Sequence, residues 1–509
     1  MLLHHFLETS VVQYPDKTAL VYDGQRHSYA QIDSMATQLA GFLQGRGLQR
    51  GDRVAIFMDN SVEAVVAVYA ALKAGAVFMP VNSLTKQDKL AYLLNDSRAS
   101  VLLTHAALQD VFVGALENNR SVHSCIVVGE LRRACADPRV QSYASASGVQ
   151  AKPGNLGNID QDLAAIIYTS GSTGDPKGVM LTHLNMVSAA NSVSGYLGLR
   201  HDDVVLCVLP LAFDYGLYQV LMSFKLGATV VLERSFAFPI KVLEVMAREQ
   251  VTVLPGVPTI FSLLMGIKTL TQYNLSALRM ITNTAAALSE QHIKDLRALF
   301  PKSILFSMYG LTECKRVTFL PPEQLDVRPT SVGRGMPNEE VWLVDEAGQR
   351  LPNGSTGELV IRGSNVMRGY WEKPDETAKR LRPGPNPGEL VLYSGDIFYS
   401  DAEGYLYFVA RRDDVIKSRG EKVSPREVEN ILYAMEGVHE VAVVGVPDPV
   451  LGQAVKAFVA LRPGFSYTER EVIKYCLGHL ESFMAPKQVV FVDALPKTDT
   501  GKIKKTGLV

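Results

Sequence analysis

Only five cysteines occur in 509 residues, and Cys125, Cys135, Cys207, Cys314 and Cys476 are odd in number and scattered, without a CxxC pair or zinc-type spacing. A disulfide framework is excluded, and a reducing, cytoplasmic setting is the expectation. Long apolar runs are missing too: the longest, such as Ala64–Ala76, are too short for a membrane span and contain Lys73. Met1–Ser10 has neither the basic n-region nor the apolar core of a signal peptide. Neither sign of charge is in excess. Lys and Arg number 51 against 52 Asp and Glu, a net charge of -1, so the chain lacks the positive field that holds nucleic acid or an anionic membrane. Low-complexity tracts and internal repeats are also absent; the 40 Gly and 25 Pro are spread along the chain, which excludes a fibrous or largely disordered protein.

What remains is a composition that is 47% hydrophobic, in a chain long enough for about three domains. Its first part alternates strand and helix. Arg53–Met58 reads as a buried strand, Ser61–Ala74 as an alanine-rich helix with Asn60 and Ser61 at its start and Gly75 as its stop, Val77–Pro80 as a strand, and a helix follows near Asp88–Asn95. The pattern recurs at Ala99–Thr104, Val204–Val208 and Thr229–Leu232, which predicts parallel sheets flanked by helices. From about Ser331 short strands with glycine turns predict a smaller β-rich subdomain. Past the charged run Arg411–Asp414, a helix at Ser424–Met435, strands at Val438–Val446 and Ala454–Leu461, and a helix at Tyr467–Leu480 predict a compact α+β unit. The fold expected is therefore α/β: a large domain over 1–411, including the β-rich part from about 331, and a small α+β domain over 412–509.

The segment Tyr168, Thr169, Ser170, Gly171, Ser172, Thr173, Gly174, Asp175, Pro176, Lys177, Gly178 follows the apolar strand Leu163–Ile167 and precedes a helix expected from near Thr182. Small and hydroxylated residues there expose backbone N–H groups and side-chain donors that suit a polyphosphate. The order is not that of a Walker A loop, because Pro176 precedes the lysine and Gly178 follows it.

In this segment the chain resembles the adenylate-forming superfamily: acyl-CoA synthetases, stand-alone and peptide-synthetase adenylation domains, and luciferases. Further motifs follow in the same order over essentially the whole chain. They are Tyr309-Gly-Leu-Thr-Glu313, Gly357-Glu-Leu-Val-Ile-Arg-Gly363 with Gly369-Tyr-Trp371, Tyr393-Ser-Gly-Asp396, the hinge-like Arg411–Gly420, and Pro496–Lys502. The resemblance implies an ATP-dependent ligase that joins a carboxylate to AMP, releasing pyrophosphate, and then passes the acyl group to a thiol of CoA or of a carrier protein. Activating a carboxylate brings two anions together, so charge must be neutralised and geometry held.

By that resemblance, Thr169 to Gly174 and Lys177 cradle the β- and γ-phosphates, Thr312 contacts the α-phosphate, and Glu313 with Thr169 holds Mg²⁺. Tyr309 stacks on adenine beside Thr284, Ala285 and Gly310. Asp396 takes the ribose hydroxyls and Arg411 the ribose or phosphate side. Lys502 bridges the carboxylate and the α-phosphate, Asp413 is the hinge of a mobile C-terminal lid, and Gly420 lets the backbone approach a pantetheine arm. The acyl pocket falls to Asp214, Tyr215, Tyr218, Asn283, Arg316 and Val317. Asp214 proposes an amino-acid substrate, because amino-acid-activating relatives place an Asp against the α-ammonium. Arg316 offers the competing expectation that it pairs with Asp214 internally and leaves the pocket to an acyl or aryl acid. A stand-alone enzyme that loads an amino acid onto a carrier protein stays as the alternative.

Overall fold

The computed structural model describes residues 1–147, 153–169, 176–284, 288–412, 414–418, 421–448, 452–480, 482–498, 503–505 and 507–508. Two large sheets dominate. In the first, the strands Ile304–Tyr309, Met280–Asn283, Val253–Gly256, Val204–Cys207, Thr229–Leu232 and Thr18–Tyr22 lie side by side and parallel. Antiparallel strands close both edges. In the second, Leu163–Thr169, Val77–Asn82, Arg53–Met58, Val101–His105, Ser124–Val128 and Val140–Ser142 are parallel. The alternation of strand and helix expected from the sequence is what builds both, since parallel neighbours require crossover connections.

Two helices are buried on nearly every side, Val62–Lys73 and Asp214–Leu226, and they share one apolar core with residues of both sheets. That burial explains why the first of them is alanine- and valine-rich all round rather than amphipathic. Ser61 caps it by accepting from the Ala64 N–H. Asn60 beside it is itself a tie between the layers. Its amide donates to the Leu209 and Glu233 carbonyls at 3.0 and 2.9 Å and accepts from the Leu211 N–H at 2.8 Å. The chain entering the helix Asp214–Leu226 is thereby fixed to the opposite sheet.

The glycine-rich stretch after Ser331 folds as expected into an antiparallel sheet of Glu339–Val344, Thr356–Gly363, Leu390–Ser400, Leu381–Pro383 and Leu406–Arg411. Beyond it, the helices Pro425–Tyr433 and Glu469–Leu477 pack on a sheet whose long strands are Val438–Asp448 and Gly452–Leu461. The helix Pro425–Tyr433 is tied back to the larger part of the chain by Ser424, whose hydroxyl donates to the Val409 carbonyl at 2.5 Å, and by Tyr433, whose ring meets that of His292 edge-on at 6.2 Å. Among the described residues no helix is long and apolar enough to cross a membrane.

The helix expected from near Thr182 is present as His183–Leu197, with Thr182 as its N-cap. A strand not expected from the sequence, Lys177–Thr182, precedes it and runs antiparallel to Leu163–Thr169. Its Gly178, Val179, Leu181 and Thr182 are buried, a two-sided pattern that alternation alone does not reveal.

Candidate active site

The candidate nucleotide residues gather at the C-terminal ends of parallel strands, where open α/β sheets place their ligands. Tyr309 ends the strand Ile304–Tyr309, and Asn283 and Thr284 end and follow its neighbour Met280–Asn283. The phenol of Tyr309 donates to Asp396 Oδ2 at 2.5 Å, and its ring sits edge-on to Phe398 at 4.9 Å. Burial pushes Asp396 up from the usual carboxylate range, against the opposing pull of Tyr309, Arg411 and Arg380. Asp396 and Arg411 are directly opposed across the antiparallel pair Leu390–Ser400 and Leu406–Arg411. One hairpin thus carries both expected ribose-side groups. Thr284 is buried, and its hydroxyl has no hydrogen-bond partner among the described residues, as expected for a group reserved for a ligand.

On the phosphate side, Thr169 faces Lys177 across the hairpin. The Lys177 ammonium pairs with Glu376 at 2.5 Å and lies 5.7 Å from the centre of the Tyr370 ring. Tyr370 in turn donates to Glu313 Oε1 at 2.7 Å. Lys177, Tyr370 and Glu313 therefore form one chain of contacts, and Glu313 is also close enough to act on Asp396 electrostatically. The hydrogen bonds from Lys177 and Lys379 hold Glu376 down to about 2. Tyr370 lies within the motif Gly369-Tyr-Trp371, whereas no sequence motif marks Glu376. A lone carboxylate, Glu313, with the Thr169 hydroxyl as a second oxygen, is a donor set that fits Mg²⁺, which keeps several waters and binds through one or two carboxylates plus substrate phosphates. Ser170 to Gly174, Ala285, Asp413, Gly420 and Lys502 lie outside the described residues.

The loop between Tyr309 and Val317 folds back on itself. The Val317 N–H donates to the Tyr309 carbonyl at 2.9 Å, and Gly310 lies against the backbone of Lys315 and Arg316. Lys315 has φ 72, a left-handed conformation that ordinary side chains rarely adopt. Its ammonium donates to the Asp214 carbonyl, pairs with Asp214 Oδ2 at 3.2 Å and stands 4.0 Å from the centre of the Tyr218 ring. The expected pairing of Asp214 with Arg316 is corrected here: the cation on Asp214 is Lys315. The left-handed turn sends Lys315 toward the start of the helix Asp214–Leu226, whereas Arg316 points elsewhere, over the ring of Tyr215 at 5.0 Å. Tyr215 and Tyr218 are core residues rather than half-exposed ones, at 6% and 1% exposure. The Tyr215 hydroxyl is held by Thr282, and Val317 is buried beside them.

Lys315 is buried, and desolvation pulls its ammonium down from 10.5 to about 7 in spite of Asp214. Between those values the unfolded chain binds more protons than the folded one, so this residue makes stability rise with pH, by at most about 1.4 kcal/mol per unit. Below about 7 the full cost is present. Urea midpoints should therefore climb from pH 7 to pH 9 more steeply in the wild type than in Lys315→Met; parallel curves would show that Lys315 keeps its proton throughout.

Matching family models fit this geometry. The model of the AMP-binding enzyme covers residues 7–371, and that of the AMP-binding enzyme C-terminal domain covers 427–502. The chain belongs to the AMP-binding enzyme family. Within that family it is 34% identical to the long-chain-fatty-acid–CoA ligase of Bacillus subtilis over 354 residues, 69% of this chain. The matched stretch spans 62% of that ligase, less than two thirds of its length. The solved anthranilate CoA ligase AuaEII, in complex with anthranoyl-AMP, superposes with a TM-score of 0.91 at 26% identity, covering 100% of this chain and 96% of that one. ATP-bound MatB from Rhodopseudomonas palustris gives 0.88 at 30% identity, covering 100% and 98%. The architecture of an AMP-binding enzyme, with parallel-rich sheets, a β-rich subdomain and a further C-terminal α+β unit, is thus the one observed.

Proposed function

We propose that this AMP-binding family member is an ATP-dependent acid–thiol ligase. A carboxylate oxygen attacks the α-phosphorus of ATP, the bond to the β-phosphate breaks, and acyl-AMP and pyrophosphate result. A thiolate then attacks the acyl carbon and AMP leaves. The observation that carries this reading is the linkage by direct contacts of Tyr309, Asp396 and Arg411 on one side and Glu313, Tyr370 and Lys177 on the other, with Glu313 acting electrostatically on Asp396. The first three suit a nucleoside, and the last three suit a polyphosphate with its cation. Bound Mg²⁺ supplies charge neutralisation to the phosphates, and Glu313 and Thr169 are the residues that would hold it. The loop of Ser170 to Gly174 with Lys177 takes the departing phosphates, and Lys502 delivers the bridging cation.

We place the joint between the larger domain, 1–411, and the C-terminal lid, 412–509, at Asp413, with Gly420 on the thiol side. CoA is the acceptor we favour over a carrier protein, because the similar proteins are named as CoA ligases. Asp214 already faces Lys315, which favours a carboxylic acid without an α-ammonium over the amino-acid alternative. A cytoplasmic enzyme fits five cysteines that are all free.

The test is ATP–pyrophosphate exchange across fatty, aromatic and amino acids, with product mass spectrometry in the presence and absence of CoA. Exchange that depends on a carboxylic acid, and an acyl-CoA product when CoA is added, are expected. Exchange with amino acids alone, and no CoA product, would instead establish the carrier-protein alternative.

A further inference from the structure

We propose that the acid activated here carries a second carboxylate, and that Arg316 receives it. The inference rests on the ligase reading above and names the substrate class of that same site. Arg316 is 2% exposed and is among the largest fully buried side chains of the protein. Among the described residues its guanidinium has no carboxylate within ion-pairing distance, and its Nε has no hydrogen-bond partner. What surrounds it is aromatic: the ring of Tyr215 lies under the guanidinium at 5.0 Å, and the neutral phenol oxygen of Tyr196 is within its hydrogen-bonding reach. A guanidinium keeps its charge at every accessible pH, so unlike a buried lysine it cannot escape desolvation by releasing a proton. A buried cation of this kind, without a carboxylate, is costly unless something arrives to meet it.

The neighbouring charges do not meet it. Asp214, the carboxylate expected to do so, is held by Lys315. Glu339 lies near the Arg316 backbone, since Asn365 donates both to Glu339 Oε2 at 2.7 Å and to the Arg316 carbonyl at 3.2 Å. Burial pushes Glu339 well above the usual carboxylate range, toward the neutral acid, and its second oxygen has no partner among the described residues. With Asp214 taken up by Lys315, the Arg316 guanidinium is left in excess, without a carboxylate of its own among the described residues.

Position makes this excess useful. Arg316 lies in the loop that bears Thr312 and Glu313, and the Tyr215 ring beneath it is pinned by its hydroxyl to Thr282, two residues before Thr284. The guanidinium therefore stands beside the end of Met280–Asn283, the strand that leads into Thr284. A planar fork in this place matches a carboxylate through two parallel N–H donors. The buried rings of Tyr215 and Tyr218 limit the room around it, which favours a short aliphatic or a monocyclic aromatic diacid over a long chain.

The experiment compares matched pairs of acids in pyrophosphate exchange with the full-length wild type: succinate against butyrate, glutarate against valerate, and isophthalate against benzoate. At least one diacid should exceed its matched monoacid by ~10-fold or more in kcat/KM, because a site built to bond a polar group rejects the analogue that lacks it. Arg316→Met should abolish or reverse that preference while leaving KM for ATP near the wild-type value, and Arg316→Lys, which keeps the charge without the fork, should fall between. Wild-type monoacids used as well as or better than every matched diacid would overturn the inference whether or not the variants fold. So would an Arg316→Met enzyme that is less stable but keeps the wild-type ratio of diacid to monoacid, since that is the signature of a purely structural arginine. No exchange with any acid would overturn the ligase reading beneath it.

Discussion

Alanine in place of Lys502 is expected to slow acyl-AMP formation by about 100-fold or more, while thioester formation from supplied acyl-AMP proceeds near the wild-type rate. The reason is electrostatic. A cation that bridges the incoming carboxylate and the α-phosphate is needed only while two anions are being forced together, and the second half-reaction brings a thiolate to an acyl carbon with the phosphate already esterified. Both flanks of the lysine loop are anchored. Lys497 pairs with Ile503 in an antiparallel bridge, the Lys504 N–H donates to the Pro496 carbonyl at 2.7 Å, and the Lys497 ammonium pairs with Glu440 at 2.6 Å. Single-turnover assays of the two half-reactions, with nucleotide affinity measured separately, decide the matter. Equal losses in both halves would remove Lys502 from the role assigned to it.

Gly310→Ala is expected to be nearly as damaging, through packing rather than charge. A Cβ at this position would lie 2.4 Å from the Lys315 carbonyl oxygen and 2.9 Å from the Arg316 Cα. Both are backbone atoms, so no side chain can rotate away, and the loop itself must shift. Relieving such overpacking costs about 1–3 kcal/mol. The larger effect falls on activity, because Thr312, Glu313, Lys315 and Arg316 all move with that loop; misplacement of reacting groups by about 1 Å costs on the order of 100-fold. Gly45→Ala is the control. It ends the helix Tyr29–Gly45 with nothing within 4 Å of the added carbon, and should leave both the urea midpoint and pyrophosphate exchange near wild type. An active, normally stable Gly310→Ala protein would mean that the loop tolerates a different path.

Local order was legible wherever it is dictated locally. The helix after Asn60 and Ser61, the strands around it, and the α+β unit after Ser424 follow from periodicity and capping residues that lie within a few positions of one another. The motif residues Tyr309, Glu313, Asp396 and Lys177 could be chosen because their order along the chain is distinctive, and the fold brings them to one place. The partners of those residues were harder to read. Lys315 meets Asp214 across 101 positions, and its direction depends on a left-handed backbone angle that no pattern of side-chain types announces. Arg316, one residue on, carries the same charge but turns to Tyr215. Tyr370 and Glu376 escaped notice for a related reason: each acts through another residue, Glu313 or Lys177, and such contacts arise only once the sheets are assembled.

The folded-back loop from Tyr309 to Val317 also bears on how enzymes of this kind can diversify. The proposed nucleotide residues Tyr309 to Glu313 and the proposed acid-pocket residues Arg316 and Val317 share nine positions there, on a backbone packed tightly against itself at Gly310. A mutation there that shifts the backbone of the loop, rather than only exchanging a side chain, therefore perturbs the machinery shared by every acid. The first turns of the helix Asp214–Leu226 contribute Tyr215 and Tyr218 without carrying any of the proposed nucleotide contacts. Drift in substrate preference, whether natural or directed in the laboratory, should accumulate on that helix first, with changes in the loop tolerated only after the helix has made room for them.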